Sequence, residues 1–234
     1  MQAPAALGDY TCGVRTCRTS KAKGVGVPCR GRARCKTLLA VGGLATLAAA
    51  LWWREHPSAC PYGQRFWVQA PHPLITRKRL ARILELRSGE RLLEVGPGTG
   101  YYTLEVARLI RPGGRLDVLD VQQEMVDHSL RQAAQRGLDN VEGTRGDVRS
   151  MPYGDATFDA AYLVTVLGEI PDQPSALREL RRVLKPGGRL VVGELFGDPH
   201  MVTFGKLRER AGVAGFRFER RVGGPLGYFA RFAA

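Results

Sequence analysis

The sequence predicts an α/β domain: a doubly wound, mostly parallel seven-stranded sheet with an antiparallel C-terminal edge strand, preceded by an N-terminal hydrophobic helix. Three observations predict it. From about residue 61, short apolar runs alternate with segments of helical period. A glycine-rich turn, "GPGTG", directly follows the first of these runs, the junction at which such sheets bind ligands. The last two apolar runs are separated only by "GGPLG", a Gly-Gly-Pro turn that leaves no room for a crossover helix, so they pair antiparallel at one edge.

Residues 1–36 are rich in Gly, Arg, Lys, Ser and Thr and lack an apolar period, which predicts a disordered basic leader. The formal net charge of the 234-residue chain is +13, and residues 1–60 carry nine Lys/Arg against two acids. The remainder is only mildly basic, so no nucleic-acid partner is expected of the folded part. Cys12, Cys17, Cys29 and Cys35 lie in the leader at spacings unlike zinc modules, and no metal site is expected. Residues 37–54 read as a hydrophobic helix, "TLLAVGGLATLAAALWW" closed by Arg54. Its length is at the low end for a bilayer span, and its terminal tryptophans suit a headgroup boundary. Membrane association through residues 37–53, a signal peptide ending near Ala48-Ala49-Ala50 and a helix docked on the domain all fit. The positive-inside rule would put the domain outside the cell, away from a cytosolic cofactor. An in-plane helix, a reversed span or a true start near Val41 each resolve that conflict; the domain itself is expected in the cytoplasm.

The domain is expected over 61–234. Thr76 is a candidate N-cap for a helix carrying Leu80, Ile83 and Leu84 at helical spacing. "RLLEV" is the first strand, and Tyr102–Ile110 a helix stopped by "RPGG". "RLDVLD" is a strand, and Gln123–Arg136 a helix with Gly137 as its left-handed stop. "NVEGTRGD" holds a weak strand and "FDAAYLVTV" a strong one. Ser175–Leu184 is a helix closed by a "KPGG" turn before the strand "RLVVGEL". Met201–Ala211 is a helix, and "FRFERRV" and "YFARF" are the closing strands.

The glycine turn discriminates between ligands. Gly96 and Gly98 match the first two glycines of the dinucleotide fingerprint, but Tyr101 stands at the third, and Gly100 follows Gly98 at a spacing of two. The pattern is E-x-G-x-G-x-G, beginning at Glu94, and no Lys-Ser/Thr follows, which excludes a P-loop. Asp120 ends the second strand, where a carboxylate accepts hydrogen bonds from ribose hydroxyls. Gly146-Asp147-Val148 forms a third polar station after the third strand.

From about Leu80 to Phe232 the chain resembles the class I S-adenosylmethionine-dependent methyltransferases, with a Rossmann-like fold, and in particular the small-molecule group of quinone-biosynthesis and sterol-type enzymes. The resemblance rests on "LLEVGPGTG", "LDVLDVQQEMV", "GDVRSMPYGDATFDAAY" and "LRELRRVLKPGGRLVV", in the family's order. It implies S-adenosyl-L-methionine as cofactor. It implies that Gly96, Gly98 and Gly100 admit the methionine part, with Glu94 orienting the loop or reaching the amino group. Asp120 would hold the ribose, Val121 pack the adenine, and Asp147 and Val148 meet the adenine edge. Tyr101 and Tyr102 stand at the mouth of the turn, serving either cofactor or packing.

On the acceptor side, many relatives carry two histidines after the strand "FDAAYLVTV", where this chain has Gly168 and Glu169. Glu169 and His72 are therefore the candidate catalytic residues, with His200 a further candidate. No Asn-Pro-Pro-Tyr segment or cysteine lies there, so a small-molecule or lipid-like methyl acceptor is expected. A membrane-tethered binding module without catalysis and another transferase on this fold, such as an aminopropyltransferase, are the alternatives.

Overall fold

A computed structural model describes residues 73–234; the expected leader, the hydrophobic segment 37–54 and His72 lie outside the described residues. Among the described residues no helix is long and apolar enough to cross a membrane. Helix α1 spans Arg77–Leu84, and Thr76 caps it by accepting the Arg79 N–H at 3.3 Å. Its apolar stripe, Leu80, Ile83 and Leu84, is buried. Beyond its end, Glu85 sits in left-handed geometry and pairs with Arg220 and Arg231 on the final strands, which pins the helix to the sheet.

The strands are β1 (Arg91–Val95), β2 (Arg115–Asp120), β3 (Val141–Arg145), β4 (Phe158–Val164), β5 (Leu184–Leu195), β6 (Arg217–Gly224) and β7 (Gly227–Ala233). Helices α2 (Thr103–Leu109), α3 (Gln123–Ala134), α4 (Gln173–Val183) and α5 (Phe204–Val213) alternate with them. The sheet order is β3-β2-β1-β4-β5-β7-β6. The first five strands are parallel, and β7 lies antiparallel between β5 and β6. The chain's last strand is thus the antiparallel member of the edge pair, and β6 forms the rim. Strand order reverses between β1 and β4, which opens a crevice at their carboxyl ends. Two buried apolar clusters complete the layers. One contains Leu93, Leu163, Leu190 and Phe232, the other Leu92, Val118, Tyr162 and Phe229.

Helix ends differ from the sequence reading by one or two residues, and three further boundaries differ for a visible physical reason. "KPGG" is not a separate turn but a bulge inside β5: Phe158 faces Leu184, and the next paired residues are Ala160 and Arg189. The bulge is held because Gly187 donates to the Ala234 carbonyl and Ala234 donates to Gly188. Strand β4 stops at Val164 because Thr165 turns left-handed (φ 55°). Helix α5 begins at Phe204 rather than Met201, because Val202 is held by side chains of β5 and β7 instead of by helical partners.

At the lower end of the sheet, Glu90 accepts from Arg189 at 2.7 Å with both side chains nearly buried. Removing one partner strands the other charge in a low-dielectric site. Glu90→Ala is expected to lower unfolding stability by about 3 kcal/mol, read from urea midpoints.

Candidate active site

The loop from β1 to α2 turns over residues 96–102, and Gly96, Gly98 and Gly100 take left-handed φ of 67°, 54° and 80°. At Gly96 space also forbids a side chain, since an added Cβ would lie 2.5 Å from Val166 Cγ2. The Gly96 N–H donates to the Leu119 carbonyl at 2.8 Å, and Ser129 Oγ on α3 reaches the Gly98 carbonyl at 3.4 Å. The loop is therefore wedged between the exit of β4 and helix α3, with the crevice at its front.

Glu94 lies beneath this loop, 2% exposed. Its Oε2 accepts from Thr103 Oγ1 at 2.5 Å. Burial pushes its carboxyl up to about 7, against the lowering effect of that bond. Tyr162 stands opposite it across β1 and β4. Asp120 ends β2, and its Oδ1 accepts the Gln122 N–H at 2.9 Å. Burial raises its carboxyl too, and among the described residues no Lys, Arg or His forms an ion pair with it. Val121, next to it, is apolar yet 46% exposed. A carboxylate with no ion pair among the described residues thus stands beside an exposed valine, next to the glycine loop.

The third station is tied to the second, because the Gly146 N–H donates to the Asp120 carbonyl at 2.9 Å. Asp147 is engaged by Arg149, whose Nε and Nη2 lie 2.9 and 2.6 Å from Oδ2, and that guanidinium lowers its carboxyl. Val148 is buried in the core. These positions sit at the right strand end, but Asp147 already has a cation and Val148 already has apolar neighbours.

The two tyrosines separate. Tyr102 is buried, donates to the Ile75 carbonyl at 2.6 Å and packs edge-on to Phe229, so it fastens the approach to α1. Tyr102→Phe is expected to cost about 1 kcal/mol of stability and to leave cofactor affinity unchanged, by thermal melting and calorimetry. Tyr101 lies 4.8 Å beneath the Arg77 guanidinium and lines a shallow cleft with His128, Gln132 and Arg136, on the α3 side of the loop.

Beyond the exit of β4, Glu169 closes a 3-10 turn, Leu167–Glu169. The turn lies under the β5–α5 connection, and a Cβ on Gly168 would fall 1.8 Å from the His200 carbonyl. His200 itself is half-buried, and its N–H donates to Asp198 Oδ1. The sequence reading missed Glu194, fully buried near the end of β5. Its Oε2 accepts the Val202 N–H at 3.1 Å, while Tyr228 Oη donates to the Val202 carbonyl at 2.6 Å. Burial holds the Glu194 carboxyl well above its usual range, with Asp198 and Glu169 adding to the rise. The signal was available: "LVVGEL" ends an apolar run in an acid, as "LLEV" does. Among the described residues no group of His, Cys, Asp and Glu is placed to hold a metal.

Residues 93–192 match the methyltransferase domain family. A demethylmenaquinone methyltransferase of Bacillus cytotoxicus is 31% identical over 131 residues, 56% of this chain and 55% of that protein. Over this part the chain resembles the class I S-adenosylmethionine-dependent methyltransferases. S-adenosylmethionine is the cofactor that this likeness indicates. The chain spans about half the length of that relative. An S-adenosylmethionine-dependent methyltransferase from Aquifex aeolicus has the same fold, with a TM-score of 0.69 at 22% identity over 74% of this chain and 98% of that one. The (4+2)-cyclase SpnF is 32% identical, with a TM-score of 0.57 over 62% of this chain and 57% of that one.

Proposed function

We propose that this chain transfers the methyl group of S-adenosylmethionine to a small-molecule or lipid-like acceptor, a quinone-type ring being the class that the menaquinone relative suggests. The observation that supports this reading best is Asp120, a carboxylate without an ion-pair partner among the described residues, beside exposed Val121 at the carboxyl end of β2, one strand from the reversal. The cofactor supplies a methyl group already activated by sulfonium charge, so the protein chiefly aligns acceptor and donor in line. Asp120 accepts from the ribose hydroxyls and Val121 covers one adenine face. Gly96, Gly98 and Gly100 let the methionine chain approach the backbone, and Glu94 serves its amino group. Asp147 reaches the adenine edge while retaining Arg149, and Val148 closes the pocket from within the core. Tyr101 belongs to the rim of this site. His72, the second candidate on the acceptor side, lies outside the described residues; Glu169 meets the acceptor at the exit of β4. A carboxylate there removes a proton if the acceptor must lose one, and no more elaborate base is needed.

Calorimetry of the full chain with S-adenosylmethionine, followed by incubation of labelled cofactor with quinone and lipid extracts, tests the reading. Absence of cofactor binding refutes it. Binding without label transfer favours a second reading, supported by the likeness to a (4+2)-cyclase, in which the fold holds the cofactor while other chemistry or none occurs.

A further inference from the structure

The crevice lies at the carboxyl end of the parallel strands, and the end of β5 and the β6–β7 turn lie at that same end of the sheet, where the approach to α1 packs on them. Leu74 packs over Gly227 so closely that an added Cβ there would lie 2.8 Å from Leu74 Cβ and 3.2 Å from Leu195 Cδ1. The Phe196 N–H donates to the Leu226 carbonyl at 2.9 Å. Leu74, Leu195, Phe196 and Leu226 thus form one contiguous apolar lip on hydrogen-bonded backbone. It faces outward: Phe196 is 69% exposed and Leu226 54%. Large apolar side chains grouped on a rim mark an interaction surface more often than scattered ones do.

Charge specifies the partner. Three cations in succession, Arg77, Lys78 and Arg79, occupy the first turn of α1, and no acid accompanies them. The positive end of the helix dipole lies at the same place, so this arrangement is unfavourable for the isolated helix. An anionic surface facing the turn reverses that cost. Arg79 Nη1 is bonded to the Leu74 carbonyl, which fixes the cationic row beside the lip. Lys78 and Arg77 are exposed. Apolar side chains flanked by a row of cations on a rigid frame are suited to the headgroup boundary of an anionic bilayer. A second copy is a poorer match, since a symmetric contact sets one row of cations against another.

We propose that the lip of Leu74, Phe196 and Leu226, with the Arg77–Arg79 turn, docks on an anionic lipid surface and presents the crevice to it. The surface is independent of the methyl-transfer reading and of residues 37–54. The test is amide hydrogen exchange of the full chain, alone, with phosphatidylcholine vesicles and with vesicles containing phosphatidylglycerol. Exchange at 196–198 and 226–228 is expected to slow about threefold or more with the anionic vesicles alone. Phe196→Asp is expected to abolish that slowing without changing S-adenosylmethionine affinity, and Lys78→Gln to weaken partitioning about fivefold. Unchanged exchange at the lip overturns the proposal, even if the chain binds vesicles through another segment. Equal slowing on raising protein concentration without lipid also overturns it and assigns the surface to self-association.

Discussion

Replacing Asp120 by alanine is expected to weaken S-adenosylmethionine binding about a hundredfold while the melting temperature stays at or above that of the parent. Two hydroxyl donors onto one carboxylate are each worth about 1.5 kcal/mol, and together they set that factor. The fold is spared because the Asp120 side chain supports little of it. Its side chain accepts the Gln122 N–H, an Asx-turn contact at the start of α3, and it neutralises no cation among the described residues. Its burial raises the carboxyl, so the native state carries a desolvated charge that alanine removes. Asp120→Asn keeps an acceptor and the turn, and is expected to fall between the two. The same calorimetric titration decides the matter: an affinity within threefold of the parent for Asp120→Ala would remove the ribose assignment.

The contrast with Asp147 shows why position along the chain is a partial guide. Both acids follow a strand end and both looked like cofactor contacts. Arg149 sits two residues beyond Asp147 and folds back onto it, whereas nothing basic follows Asp120 at short range. The elements themselves were legible wherever a local cause dictates them. Thr76 caps α1, the alternation of apolar runs gives the sheet, and "GGP" forces the final hairpin. Boundaries set by distant partners were not. The bulge at Gly187 and Gly188 depends on Ala234, at the far end of the chain. The late start of α5 depends on Glu194 and Tyr228 gripping one peptide from two strands. Tyr101 and Tyr102 are identical neighbours in sequence, and only the helical turn sends one onto Ile75 and Phe229 and the other under Arg77.

Glu94 gives the second large effect, and its sign follows from burial. Its carboxyl titrates near 7 in the folded chain, against about 4.5 as the ordinary value. The folded state therefore holds a proton that the unfolded state has released throughout that interval. This contribution to stability is complete below about pH 4.5, declines as pH rises and is gone above about 7. The gap corresponds to about 3 kcal/mol. Urea midpoints of the cofactor-free chain are expected to fall across this window, whereas Glu94→Gln, which keeps an acceptor for Thr103 and cannot ionise, loses that component of the slope. Cofactor binding should run the other way. A cationic amino group brought near Glu94 favours the ionised carboxylate, so affinity is expected to rise with pH up to about 7 and then level off. At pH 6 the complex should release nearly one proton, measurable by calorimetry in buffers of different ionisation enthalpy. Asp120, the other acid acting on Glu94, has its own raised carboxyl, so the Glu94→Gln background is needed to separate the two. If proton release persists in Glu94→Gln, the amino group is held elsewhere, and the buried acid serves only to anchor Thr103 at the start of α2.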